Sequence, residues 1–110
     1  IESHTVRPHF FVFSDDVGRA SNMIAPLMAE REHTFVDLNR ANGDASKDLW
    51  LMTQCQHFVI GNSTFAWWAA WLGERKGSTC VVAPALNIDP NTATTAWGFS
   101  YLLPERWHAL

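Results

Sequence analysis

"HFVIGNSTFAWWAAWLGER", residues 57–75, sets an apolar strand-like run, a small polar turn and a helix-length segment end to end, with three tryptophans and a phenylalanine crowded into the last. An apolar run that breaks at Gly61-Asn62-Ser63-Thr64 and resumes with helical character is a βα unit, the piece from which parallel sheets are built.

Outward from this stretch, further short apolar runs stand at residues 9–13 (HFFVF), 33–38 (HTFVDL) and 79–83 (TCVVA), each bounded by turn residues. They read as strands covered on both faces. Segments with helical features fill the gaps at residues 17–30, 46–55 and 64–75, so strand ends recur roughly every 24 residues. The expected fold class is α/β: one domain over residues 1–110, a Rossmann-like parallel sheet with flanking helices and right-handed crossovers.

Local signals refine this. Pro26 removes a backbone donor inside the first helical segment, which predicts a kink or a late start after Ser21 or Asn22. Ser46 reads as the N-cap of the second helix, with Asp48 placed to complement its dipole. Gly77 marks the end of the third. From Pro84 onward the chain carries Pro90 and Pro104 and a polar tract at residues 91–95, which predicts a loop-rich tail that folds back, with a short helix near residues 97–103.

Composition narrows the function. A net charge of −3 without any cluster of Lys or Arg excludes a phosphate-backbone footprint, so nucleic acid is not an expected partner. Hydrophobic content of 47% against 17% charged residues, with six tryptophans, implies that some apolar surface meets a partner or a further segment. Cys55 and Cys80 are too few for a disulfide framework or a zinc site and read as two buried free thiols, as in a cytoplasmic chain. No apolar run approaches the roughly 20 residues that span a bilayer, and the first residues lack a signal-peptide pattern. A chain of 110 residues can build a core but is short for an enzyme that encloses two substrates.

In open parallel sheets ligands bind beyond the carboxyl ends of the strands. The residues there are Ser14-Asp15-Asp16, Asp37-Leu38-Asn39 and Gly61-Asn62-Ser63-Thr64. Free amides at a helix start, with the Ser63 and Thr64 hydroxyls beside them and Gly61 allowing close approach, suit a phosphate. Taken alone, Asn62, Ser63 and Thr64 equally well cap a helix, and as a glycosylation sequon they are set aside without a secretion signal. Asp15 and Asp16 can bind Mg²⁺, accept from a base or ribose, or cap the next helix. Asp48 taken alone is a solvated first-turn acid. The five histidines show no metal-ligand spacing and suit structural roles. Trp67, Trp68 and Trp71 make the third helix apolar all round, which predicts burial on every side.

The segment Asp48-Leu49-Trp50-Leu51-Met52-Thr53-Gln54-Cys55-Gln56-His57, followed by Asn62-Ser63-Thr64-Phe65-Ala66-Trp67-Trp68-Ala69-Ala70-Trp71-Leu72, resembles the α-1,2-fucosyltransferase family. That family reads D-x-x-L-M-S-x-C-x-H and then N-S-T-F-S-W-W-x-A-W-L. "FFVFSDD", residues 10–16, resembles its strand-plus-acidic-pair motif, and "VVAP" and "LLPERW" its closing segment. The resemblance implies a two-domain GT-B enzyme that takes GDP-fucose as donor, needs no cofactor or essential metal, inverts the anomeric carbon and acts on a galactose-terminated glycan. This chain would be its C-terminal, donor-binding half, cytoplasmic or peripheral at the inner membrane face, and inactive alone. Asn62, Ser63, Thr64 and Phe65 would meet the GDP phosphates, and Asp15, Asp16 and Asp48 the nucleoside, whose N–H and O–H donors a carboxylate can accept from.

Departures are Thr53 for Ser, Ala66 for Ser, Pro26 within the first helix, and Ala85-Leu86-Asn87 where an aromatic residue commonly follows the A-P. The family's H-x-R-R-G-D motif, which supplies a phosphate-binding arginine, is expected upstream in the missing N-terminal half. Two other classes fit the fold: a receiver-like phospho-acceptor domain with Mg²⁺ at the acidic pair, and a non-catalytic nucleotide-binding module. The first lacks a lysine after the late strand, where the chain reads "VVAPALN".

Overall fold

The computed structural model describes residues 6–37, 43–74, 79–85, 87–89, 94–95 and 102–110. It is a small α/β structure with parallel strands and three helices, in the order β1 (Phe10–Phe13), α1 (Val17–Met28), β2 (His33–Val36), α2 (Ala45–Thr53), β3 (Phe58–Val59), α3 (Thr64–Gly73), β4 (Val81–Ala83), β5 (Asn87–Asp89), β6 (Thr94–Thr95) and β7 (His108–Ala109).

Each of the four apolar runs forms a strand. β1 pairs with β2 in parallel, Phe10 beside His33 and Phe13 beside Val36, and β3 pairs with β4 in parallel, Phe58 beside Val81. A parallel pair needs a crossover between its strands, and α1 and α3 supply it. The ladders fall in two compact units, Ile1–Asp48 and Leu49–Leu110. The first holds β1-β2, while the second holds β3-β4-β7 and the antiparallel pair β5-β6.

In the first unit, α1 starts at Val17 because the Asp16 side chain caps it, accepting the Arg19 amide at 2.9 Å. The late start expected from Pro26 is therefore overturned: the helix runs from Val17 through Pro26 to Met28. Pro26 and Asn22 are both exposed, so water can reach the Asn22 carbonyl that loses its helical donor, and the helix tolerates the ring near its end. The cap of α2 also differs from expectation. Asp44 accepts the Ser46 amide at 3.2 Å and the Ser46 hydroxyl as well, so Ser46 is inside the helix and Asp44 is the capping residue. Gly43, at φ +60°, makes the turn into it.

The second unit contains every fully buried hydrophobic side chain among the described residues: Phe58, Ile60, Ala69, Ala70, Val81, Ala83 and Trp107. The small residues of α3 set its seat. Ala69, Ala70 and Gly73 are buried, and a Cβ at Gly73 would run into the Phe58 ring, so only glycine lets the helix lie this close to β3.

Three expectations change here. Among the described residues the strands are not covered on both faces, since Phe11 is 52% and Val59 70% exposed. α3 is not buried all round either. Its alanines and glycine face inward, Trp67 and Trp71 are half-buried, and Trp68 is 52% exposed. The two thiols are free, as expected, but half-buried rather than buried.

The tail does fold back, through β7, which adds in parallel to the edge of β4 with Val82 beside His108 and Ala83 beside Ala109. Leu102 and Leu103 are not helical. The rest of the short helix expected near residues 97–103, the helix end expected at Gly77, and Leu38 and Asn39 lie outside the described residues.

Candidate functional site

The turn between β3 and α3 is built by backbone hydrogen bonding. Ser63, extended at φ −142° and ψ 125°, is the N-cap of α3, and its hydroxyl accepts the Ala66 amide at 3.4 Å. Its own amide donates to the Gly61 carbonyl at 2.9 Å, and its carbonyl accepts the Trp67 amide at 2.9 Å, closing the first helical turn. Thr64 and Phe65 fall inside that turn, so their amides have no intrahelical acceptor. The helix dipole adds partial positive charge at the same place.

This turn is open. Asn62, Ser63 and Thr64 are exposed, and Phe65 is 38% exposed. Beside Gly61 a Cβ would meet nothing within 4 Å, and its backbone needs no positive φ. Neither packing nor conformation demands a glycine there, and the space beside its backbone is open. Both readings of the turn made from sequence are thus compatible: Ser63 caps the helix while the amides ahead of it stay available.

The acidic candidates are placed differently. Asp16 spends one carboxylate oxygen on the Arg19 amide, and the Ser14 hydroxyl accepts the Asp16 amide at 3.1 Å. Asp15 is exposed in the same turn. Asp48 lies in the first turn of α2 and is half-buried. Asp15, Asp16 and Asp48 belong to the Ile1–Asp48 unit, whereas residues 62–65 belong to Leu49–Leu110. Among the described residues, no three His, Cys, Asp or Glu side chains come together to hold a metal ion, and no helix is long and apolar enough to cross a membrane.

Two constellations have no local sequence signal. Glu74, at the end of α3, accepts the Trp107 indole N–H at 2.7 Å and an Arg106 N–H at 3.2 Å, and forms a second, closer contact with the Arg106 guanidinium. Burial pushes the Glu74 carboxyl up, but the bonds from Arg106 and Trp107 and the Arg106 charge together outweigh it and hold the group below the usual carboxylate range. The second is His57, whose Nδ1 accepts the Cys80 amide at 3.0 Å. Partners 32, 33 and 23 residues apart are set by the fold, which spacing along the chain cannot reveal.

An open helix start after a parallel strand is where α/β proteins commonly bind phosphorylated ligands, and sequence comparison puts the chain among the glycosyltransferases. It belongs to glycosyl transferase family 11, whose model matches residues 1–98. The chain is similar to an alpha-1,2-colitosyltransferase of Escherichia coli, 34% identical over 64 residues, covering 57% of this chain and 21% of the relative. It is also similar to the O-antigen biosynthesis glycosyltransferase WbnK of Escherichia coli, 39% identical over 61 residues, covering 56% of this chain and 19% of the relative. The matched part thus spans about a fifth of the length of these relatives. No solved structure matches the chain significantly.

Proposed function

We propose that this chain is the donor-binding part of an inverting α-1,2-fucosyltransferase of the GT-B type, which takes GDP-fucose and transfers fucose to a galactose-containing glycan. The observation that carries this reading is the solvent-open start of α3, where Gly61, Asn62, Ser63, Thr64 and Phe65 are all exposed and nothing stands within 4 Å of a Cβ built on Gly61. Membership of glycosyl transferase family 11 supports the reaction class. The linkage in the name of the colitosyltransferase supports an α-1,2 product, and the sugar in that name makes the donor's hexose the feature to test.

In this reading the amides at the turn donate to the diphosphate oxygens and stabilise the charge that grows on them as the glycosidic bond to fucose breaks. Donors fixed by a helix need no reorganisation during the reaction. The parts of a family member that this chain does not match would bring the acceptor and the cationic clamp.

Titration of GDP into ¹⁵N-labelled protein tests the site. The Thr64 and Phe65 amides should shift first, and Ser63→Ala with Thr64→Ala should weaken binding by about tenfold, the loss of one hydrogen bond to a charged group. Shifts confined to residues away from 61–65, or affinity indifferent to both substitutions, would remove the turn from the site.

A further inference from the structure

Residues 102–110 are held by one face of α3, by the edge of β4 and by Trp107 in the core. Trp67, Trp71 and Glu74 project from that face at helical spacing. The Trp67 indole donates to the Leu102 carbonyl at 3.1 Å. The Arg106 guanidinium lies 4.7 Å from the centre of the Trp71 ring, which itself stacks on Trp67 at 5.2 Å. Glu74 takes N–H groups from both Arg106 and Trp107.

Beyond these contacts the segment puts Trp107 into the core cluster, with Leu102 and Leu103 packed against it. β7 is two residues long and sits at the edge of the sheet, where so short a strand is not stable by its own pairing. Glu105, Arg106, His108, Ala109 and Leu110 are exposed. Trp107 is the one side chain of the segment that is fully buried, at 6% exposure. Among the described residues the donors to Glu74 are Arg106 and Trp107, so departure of the segment would leave the carboxylate without them.

We infer that residues 102–110 form a strap that opens as a unit, with Glu74 as its lock, while β3, β4 and α3 stay folded around Phe58, Ile60, Ala70, Val81 and Ala83. Opening uncovers the Trp67 and Trp71 rings and the edge of β4. Local opening of this kind withdraws Trp107 from the core cluster and leaves its other members in contact. The strap is independent of any reading of what the turn at residues 61–65 binds.

Hydrogen exchange followed by NMR on the intact chain separates the strap from the core. Strap reporters are the Trp107 indole N–H and the amides of Leu110 and Ala85, which bond Ala83 and Leu110 across the β4 edge. Core reporters are the amides of Phe58 and Ile60, bonded to the Cys80 and Val82 carbonyls. Glu74→Gln keeps an acceptor for Trp107 but removes the charge. It should speed exchange of the strap reporters about tenfold and leave the core reporters within about twofold. Equal acceleration of both sets would make the strap part of one cooperative unit and overturn the inference, as would no acceleration of either. Should Glu74→Gln fail to fold, Arg106→Gln, at an exposed position, gives the same readouts.

Discussion

The imidazole Nδ1 of His57 accepts the backbone amide of Cys80 at 3.0 Å, one residue before the first rung between β3 and β4. A side chain thus stands in for a strand carbonyl at the entrance of the ladder. An accepting Nδ1 puts the ring proton on Nε2, which is buried and has no partner among the described residues. His57→Phe should leave the Cys80 amide unpaired and cost about 1–3 kcal/mol. His57→Asn carries an acceptor near the same place and should recover part of that loss. Urea unfolding of the two variants checks the order, and equal stability would show that the bond is not the role of His57.

Acid should act on the second unit through Glu74. Its folded carboxyl is held below the ordinary range, burial opposing and the Arg106 and Trp107 bonds prevailing. The group therefore adds stability that is full above the unfolded glutamate value of about 4.3 and fades as pH falls through the lower folded one. Urea midpoints should fall between neutral pH and the acid range, and Glu74→Gln should flatten that dependence. Asp44, held low chiefly by the Ser46 hydroxyl, acts in the same direction at the cap of α2. A slope unchanged in Glu74→Gln would assign the acid sensitivity elsewhere.

Gly73→Ala sets two effects against each other. Alanine favours a helix over glycine by about 1 kcal/mol, but its methyl would collide with the Phe58 ring, which is 6% exposed in the core. Overpacking of this sort costs about 1–3 kcal/mol, so the variant should be less stable overall. Adding Phe58→Leu should make the pair less damaging than the sum of the singles, because the two side chains contest one space. Strict additivity in thermal or urea melts would refute the contact.

The regular part of this structure was legible in the sequence. Phe10, His33, Phe58 and Val81 each open a strand in an apolar run, and Gly61 to Ser63 follow β3 and cap α3 in three letters. The cap of α2 was misplaced because Asp44 and Ser46 are equally good capping types, and the choice falls to the carboxylate that collects both Ser46 donors. Trp68 shows a second limit: an all-apolar helix says that some side is buried but not which, and here the small residues take the inside. Of the candidate site, residues 62–65 could be read from their letters, whereas Glu74, Arg106 and Trp107 could not, since nothing local ties a glutamate to a tryptophan 33 residues away.

The inward face of α3 includes Ala69, Ala70 and Gly73, and its approach to the sheet is set where the Gly73 backbone meets the Phe58 ring. The height of the helix over β3 is thereby gauged by one aromatic ring, at the opposite end of the helix from residues 62–65. Exchanges of side chain at its first turn leave that gauge untouched.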